Sequence, residues 1–456
     1  MSNPPPSPHL ERRLGLFPLT TIVISNMIGA GIFTTSGLLL GDLKNPALML
    51  ILWVVGGLIA LCGALCYGRI GAAIPYAGGE YIFLSKLYHP LFGFLSGWLS
   101  FVVGFSAPIA AAAIGFSEYL IRAFPQIAAW GEAAGFLHPV VCKKILSLGV
   151  ILLFTFIHLK GIERGTGIQK TLTFLEVILI MGLIGAGLLF GKGDFGHFSQ
   201  GEPFALDMNG WKTMSLSLMW IMFAYSGWNA STYLGSEIKN PNRNLPLSLI
   251  LGTGIVITLY CGLNLLYVFA IAPGNMKGVI SIGGLAVENL FGPSLAAFFS
   301  LMISFALFTA ISAFILLGPR VYYSMARDGY FFKTFCEVHP RSKIPHKAIL
   351  LQGLFSIILV VSGTFDQILT YMGFSLGIFP ILTVLGVFRI KSLSQETSSW
   401  LLYGAAALLY AAICTLMLLL AYFQRPIESS IALLTVAAGV PLFFLFQKKN
   451  GLIRKG

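Results

Sequence analysis

Long apolar runs recur along almost the whole chain, separated by short polar stretches rich in Lys, Arg, Gly and Pro. A helix that crosses a bilayer needs about 20 mostly apolar residues. Twelve runs approach that length, near 17–40, 47–68, 91–121, 141–159, 170–190, 213–237, 247–271, 294–318, 347–362, 367–388, 400–422 and 430–446. The pattern predicts an all-α integral membrane protein of about 12 transmembrane helices. Residues 1–10 are polar and proline-rich and read as a solvated tail, without the charged start, short apolar stretch and small-residue site of a cleaved leader.

Composition narrows the class. Hydrophobic residues are 56% of the chain and charged residues 10%, whereas a soluble domain carries about a quarter charged. So little polar surface excludes a cytosolic enzyme, a disordered regulator and a nucleic-acid binder. The net charge of +12 is a matter of topology. With both termini placed on the cytoplasmic side, 21 of the 29 Lys and Arg fall in cytoplasmic segments and 8 in outer ones. That asymmetry orients membrane proteins, and it adds attraction to anionic headgroups of the lipid bilayer. The chain divides into a cytoplasmic tail (1–13), helices one to five (14–190), helices six to ten (191–391), helices eleven and twelve (392–447) and a second cytoplasmic tail (448–456). The six cysteines show neither metal spacing nor a disulfide framework, so no metal and no cofactor is expected. Cys62 and Cys66, four apart on one helix face, read as packing residues. His158 is the one deeply placed histidine, and no HExxH or GxSxG element accompanies it. No loop is long enough to form a soluble output domain. An enzyme or a sensor is therefore not expected.

Two runs disfavour a continuous helix. The first holds Gly29 and Gly31 near its middle, and the sixth holds Ser226 and Gly227 at mid-span. Glycine inside a helix costs about 1 kcal/mol relative to alanine, and paired Gly-interrupted segments in two halves point to a transporter binding site. Small residues also serve close helix packing, so the pattern alone leaves both uses open. Where helices break, N–H groups starting one half-helix attract an anion, and carbonyls ending another attract a cation. Following Ile28, the N–H groups of Gly29, Ala30 and Gly31 would meet a carboxylate. Carbonyls of Phe223, Ala224 and Tyr225 would meet an α-ammonium. Together they describe a grip on the head of an amino acid.

These stretches also resemble a known family. Asn-Met-Ile-Gly-Ala-Gly-Ile-Phe at 26–33 is similar to the "IGSGIF" signature of the amino acid–polyamine–organocation permease superfamily. Ile-Pro-Tyr-Ala-Gly-Gly-Glu-Tyr at 74–81 looks like its inner loop after the second helix. The run at 223–229, followed by Glu-Ile-Lys-Asn-Pro at 237–241, is similar to its sixth-helix block. Met-Ala-Arg-Asp-Gly at 325–329 matches its element after the eighth helix. The resemblance is to the light-chain-type and bacterial amino acid transporter branches. It implies a five-plus-five inverted-repeat fold with broken helices one and six, two extra C-terminal helices, and alternating access around a mid-membrane site. It is compositional beyond about residue 350.

The resemblance also implies roles. In many members the fifth helix carries a Lys that supports the broken first helix; counting on from Gln169, that place holds Glu176. Ionisable groups inside the bilayer are costly and usually functional. Glu176 reads as a coupling or gating residue that loads and unloads a proton, with a permanently protonated carboxyl or a hydrated interfacial one as the other readings. Where the family has Glu after the second helix this chain has Arg69, an inner-gate difference or a headgroup anchor. Glu118 reads as an interfacial residue. Phe223 takes the place of an aromatic gate in light-chain-type exchangers, or packs as an ordinary apolar residue. Ser226 stands where those exchangers often have Gly; it offers no negative charge to a basic substrate and narrows the pocket. Ser106, Thr309 and Ser312 either line the site, as a pseudo-sodium locus, or bond carbonyls of their own helices.

The expected function is secondary active transport of neutral L-amino acids, small or polar ones favoured, across the cell membrane by alternating access. The small-molecule partners are the amino acid and, for a proton symporter rather than an exchanger, H+. A polyamine, organic-cation or cationic amino acid antiporter of the same superfamily is the alternative. It calls for acidic side chains in the pocket, and none stands beside either break in the sequence. No obligate protein partner is expected. Cys142 is the one cysteine placed for an intermolecular disulfide, and its neighbours do not match the heteromeric exchangers.

Overall fold

A computed structural model describes residues 12, 14–127, 139–159, 162–279, 281–337, 339, 345–362, 365–390 and 397–449. All but one residue of the tail 1–13 and most of 448–456 lie outside them. The first half comprises α1 (Leu16–Met27), α2 (Ala30–Leu43), α3 (Pro46–Ala73), α4 (Glu80–Leu87), α5 (Pro90–Leu99), α6 (Ser106–Ala123), α7 (Pro139–Leu159) and α8 (Ile162–Phe190). There follow α9 (Met208–Ala224), α10 (Pro241–Ala270), the single turn α11 (Pro273–Met276), α12 (Ile282–Phe291) and α13 (Pro293–Arg327). The chain ends with α14 (His346–Ser362), α15 (Phe365–Leu385), α16 (Thr397–Gln424) and α17 (Pro426–Lys449). Among the described residues there is no strand, only two isolated bridges, Leu14 with Ile238 and Ala77 with Leu234.

Each of the twelve apolar runs is helical. With α1–α2 and α5–α6 each taken as one span, ten among the described residues are long and apolar enough to cross a membrane. The two shorter ones are α9 and α14, 17 residues each. Local chemistry sets several starts. The Asn45 side chain accepts from the Leu48 N–H at 2.9 Å ahead of Pro46, and Asp207 accepts from the Gly210 N–H at 2.7 Å to begin α9. Such a cap contributes about 1 kcal/mol, and proline suits a first helical turn because its missing N–H has no partner there. Two further helices, α4 and α12, have eight and ten residues, too few to cross. The sixth run, expected over 213–237, is α-helical only to Ala224; 3₁₀ turns at Ala230–Tyr233 and Gly235–Glu237 complete it.

The bundle is built around α1, α2, α6 and α13, which are mostly buried, while α7, α8 and α17 expose most of their apolar length. Phe156, Met181 and Leu434 stand out from this rim, and Leu408 does so from α16, as expected of side chains that meet lipid rather than water. Glycines of α3 let its neighbours lie flush. A Cβ at Gly68 would stand 2.9 Å from the Pro246 Cα, and one at Gly63 would meet the Trp228 ring. Close approach through small residues replaces the hydrophobic drive that is missing between helices in lipid. It brings α3 against α10 and the end of the sixth span.

Candidate functional site: two facing breaks and a buried cavity

Both expected breaks exist. After α1 the backbone turns extended at Ile28 (ψ 107°) and Gly29 (φ −153°, ψ −160°) before α2 starts at Ala30. No side chain caps α2, so its first amides are left for another acceptor. After α9, the Ser226 N–H turns back to the Phe223 carbonyl at 2.8 Å, and Gly227 adopts φ +97°, a left-handed conformation that glycine enters without steric cost. The breaks touch. A Cβ at Gly31 would fall 2.5 Å from the Ala224 Cα, and one at Gly227 would overlap the Asn26 carbonyl. Close packing and helix breaking, left as alternatives by the sequence, are therefore both served by the same glycines.

A tyrosine that the sequence did not single out joins the breaks. The Tyr260 hydroxyl, from the middle of α10, lies 2.5 Å from the Met27 carbonyl and 3.2 Å from the Ala224 carbonyl, with the Gly29 N–H directed at its oxygen. One phenol thus meets the last carbonyls of both first half-helices. Its ring is held edge-on by Trp53 at 5.7 Å and leans on Tyr225 at 5.1 Å. A single tyrosine in an apolar run carries no sequence signal for this; only the fold brings its hydroxyl to both breaks.

Beside the breaks lies a cavity of about 100 Å³, walled by Asn26 of the first, by Phe223, Ser226 and Gly227 of the second, and by Ser100, Phe314 and Tyr410. The wall from the third span is distorted: α5 and α6 are separated by a π-turn at Ser100–Gly104, a feature common near functional sites. Of the expected site residues, Phe223 and Ser226 face the cavity together. Ile28, Gly29, Ala30, Gly31, Ala224 and Tyr225 form the breaks without lining it, and the Tyr225 hydroxyl donates to the Trp53 carbonyl at 3.1 Å. Ser106 donates to the Phe101 carbonyl at 3.2 Å. Thr309 donates to the Ala306 carbonyl at 2.8 Å, and Ser312 pairs with His158 at 2.9 Å. None of these three lines the cavity.

Glu176 is placed apart. It is buried behind α2 and α13, beside a small apolar cavity with Phe33, Ile180 and Ile303. Neither carboxyl oxygen has a well-formed hydrogen bond. The Thr309 hydroxyl acts on it but has given its proton to Ala306, and its field reaches Tyr260. Glu118, by contrast, pairs with Lys143 at 2.6 Å on a partly exposed surface.

The expectation of a cavity without acid is corrected. Glu80 lines it, carried in by the connection between the second and third spans. It stands more than a hundred residues from the sixth-span break, so chain order alone does not reveal the proximity. The same connection closes one end of the cavity. The Gly78 N–H donates to the Tyr233 carbonyl at 3.2 Å, the Ala77 N–H to the Ser236 hydroxyl at 2.9 Å, and the Tyr81 hydroxyl to Asp328 at 2.8 Å. The connection is thus laced to the sixth span and to the end of α13.

A helical bundle of membrane-spanning length, with two half-helix breaks in contact beside a cavity, defines a multi-pass carrier of small solutes. Its sequence relations say which one: the family model described as amino acid permease matches residues 14–446, and the chain belongs to that family. It is a membrane transporter and not an enzyme. It is 27% identical over 452 residues to Asc-type amino acid transporter 1 of Homo sapiens, covering 96% of this chain and 82% of that protein. It is 25% identical over 440 residues to b(0,+)-type amino acid transporter 1 of Mus musculus, covering 96% and 88%. It is 26% identical over 447 residues to Large neutral amino acids transporter small subunit 2 of Mus musculus, covering 96% and 81%.

Proposed function

We propose that this permease moves neutral L-amino acids, small or polar ones best, across the cell membrane by alternating access, as an exchanger or a proton symporter. The observation that carries the reading is the contact of the two breaks beside one cavity: uncapped amides begin α2, and carbonyls ending α1 and α9 converge on Tyr260. Amides and carbonyls grip a carboxylate and an ammonium without a charged side chain. The halves 14–190 and 191–391 are the two repeats whose relative motion opens the cavity to alternate sides, with both termini cytoplasmic. Counterflow tests this: proteoliposomes preloaded with each amino acid in turn, then given labelled substrate with and without a pH gradient. Absence of accelerated uptake for every amino acid ends the proposal.

Ser226 sets the side-chain preference, because its hydroxymethyl group borders the cavity next to Phe223. Ser226→Gly is expected to admit bulkier substrates, raising leucine or phenylalanine uptake relative to serine by about tenfold, the effect of one or two methylene groups in an apolar pocket. Arginine as the best wild-type substrate would overturn the neutral reading in favour of the cationic one, for which Glu80 is the available acid.

Glu176 is proposed as a coupling or gating residue acting through Tyr260. A glutamine there mimics a carboxyl that never releases its proton. Glu176→Gln is therefore expected to lose stimulation of uptake by an inward proton gradient while keeping counterflow at equal pH. An unchanged response to the gradient removes Glu176 from the mechanism. The chain is proposed to work without a disulfide-linked partner, since Cys142 is buried, its Sγ turned to the Ile127 carbonyl.

A further inference from the structure

Glu80 is an acid that the grip on the amino acid head does not use. It is 8% exposed, yet it forms part of the cavity wall. Hydroxyls from three different spans converge on its carboxyl. Tyr67 of α3 bonds Oε1, Ser96 of α5 bonds Oε2 at 2.9 Å, and Thr383 of α15 reaches Oε1 at 3.4 Å. The other titratable groups that face it are Tyr233 of the sixth span and Tyr410 of α16. Among the described residues no Lys, Arg or His forms an ion pair with it.

This set of partners suits one ligand. A buried carboxylate meant to stay charged is ordinarily paired with a base. Hydroxyls behave differently, because each can donate to a carboxylate or, after rotating, accept from a carboxylic acid. The cluster can therefore satisfy both protonation states.

We propose that Glu80 is a proton-binding site on the transport cavity, and that its protonation loosens the closed end of the carrier. The proposal rests on the transport reading for its consequence, though not for the site itself. A proton passes from cavity water to Glu80, and it returns to water when the carboxyl ionises. In the charged state the Tyr67 and Ser96 hydroxyls tie α3 and α5 to the segment that is laced to Tyr233 and Ser236, while Thr383 of α15, which donates to the Phe379 carbonyl at 3.0 Å, adds only a longer contact at 3.4 Å. Hydrogen bonds to an ionised acceptor are roughly twice as strong as neutral ones, so neutralising Glu80 weakens that tie. Burial pushes the carboxyl above the usual carboxylate range, while the bonds from Tyr67, Ser96 and Thr383 pull it back down. An acid with a raised value is loaded as pH falls through that value, so opening is favoured on the acid side.

Two measurements test it. An infrared pH titration of purified protein, wild type minus Glu80→Gln, is expected to show one carboxylic C=O band appearing on acidification above the ordinary glutamate range. Counterflow of labelled L-serine and L-alanine at equal pH on both sides is expected to speed up on acidification in wild type. Glu80→Gln should hold the acid rate at every pH. Ser96→Ala removes a donor to the charged form, so the midpoints of both band and rate should move to higher pH by about one unit. A role in packing alone moves no midpoint, and Ser96→Ala still reports if Glu80→Gln folds poorly. No band, or a Glu80→Gln profile that follows wild type, overturns the proposal. A Glu80→Gln variant that only loses preference for arginine and lysine overturns it too, and assigns Glu80 to the substrate side chain. If wild type carries no amino acid at all while the band titrates, the proton site stands and the transport reading fails.

Discussion

Gly227→Ala is expected to abolish transport while leaving the protein in the membrane. At φ +97° a residue with a Cβ is strained by about 1–3 kcal/mol. Here the Cβ also runs into the Asn26 carbonyl, and overpacking of that kind costs a further 1–3 kcal/mol. Together they come to about 4 kcal/mol, a factor on the order of 1,000 in the population of the competent break. The strain falls where the two breaks touch, so the loss should appear in initial uptake rate per unit of protein recovered from membranes. Gly278→Ala separates the two causes. That glycine also has positive φ, +73°, but no atom lies within 4 Å of the added Cβ. It should fold slightly less well and transport normally. Wild-type uptake by Gly227→Ala would show that the breaks need not meet as closely as they do here.

The fold was legible in the sequence to the extent that hydrophobic periodicity measures it. Spans of 20 residues need no knowledge of their neighbours, and each apolar run became a helix. The break at Gly29 was legible for a local reason: two glycines in a span weaken the helix wherever it packs. The second half of the sixth span was not: residues 230–237, mostly small and polar, form 3₁₀ turns bonded to Ala77 and Gly78 of the connection and, through Ser231, to the Leu19 carbonyl and Ser248, partners that only the fold brings near. The site shows the same division. Phe223 and Ser226 line the cavity, being adjacent to a break. Ser106, Thr309 and Ser312 spend their hydroxyls on Phe101, Ala306 and His158, partners that depend on helix rotation, which the sequence leaves open. Glu80 sat in full view within a recognisable motif, but its part in the cavity depends on how a connection between spans folds back under the sixth.

Tyr260→Phe is expected to weaken amino acid binding by about 10- to 100-fold without disturbing the bundle. Phenylalanine keeps the ring, and with it the edge contact to Trp53 and the contact to Tyr225. What disappears is one hydroxyl, and with it the side-chain proton shared by two buried carbonyls, those of Met27 and Ala224, together with the acceptor facing the Gly29 N–H. A buried polar group left unpaired costs about 1–3 kcal/mol. The carbonyls will swing towards other donors to avoid that penalty, and in doing so lose the orientation that suits an ammonium. The expected signature is a raised apparent KM for every amino acid alike, since the head group is common to all of them, with the order of preference among side chains unchanged. Tyr225→Phe supplies the comparison: its hydroxyl bonds the Trp53 carbonyl, outside the breaks, and its removal should change KM by less than about threefold, within the range of an ordinary hydrogen bond. If the two variants behave alike, Tyr260 is a packing residue and the half-helices hold their carbonyls in place by themselves. If Tyr260→Phe alone loses affinity, uniformly across substrates, the grip on the zwitterion is a property of the backbone at the breaks, and the phenol is the part that sets its geometry.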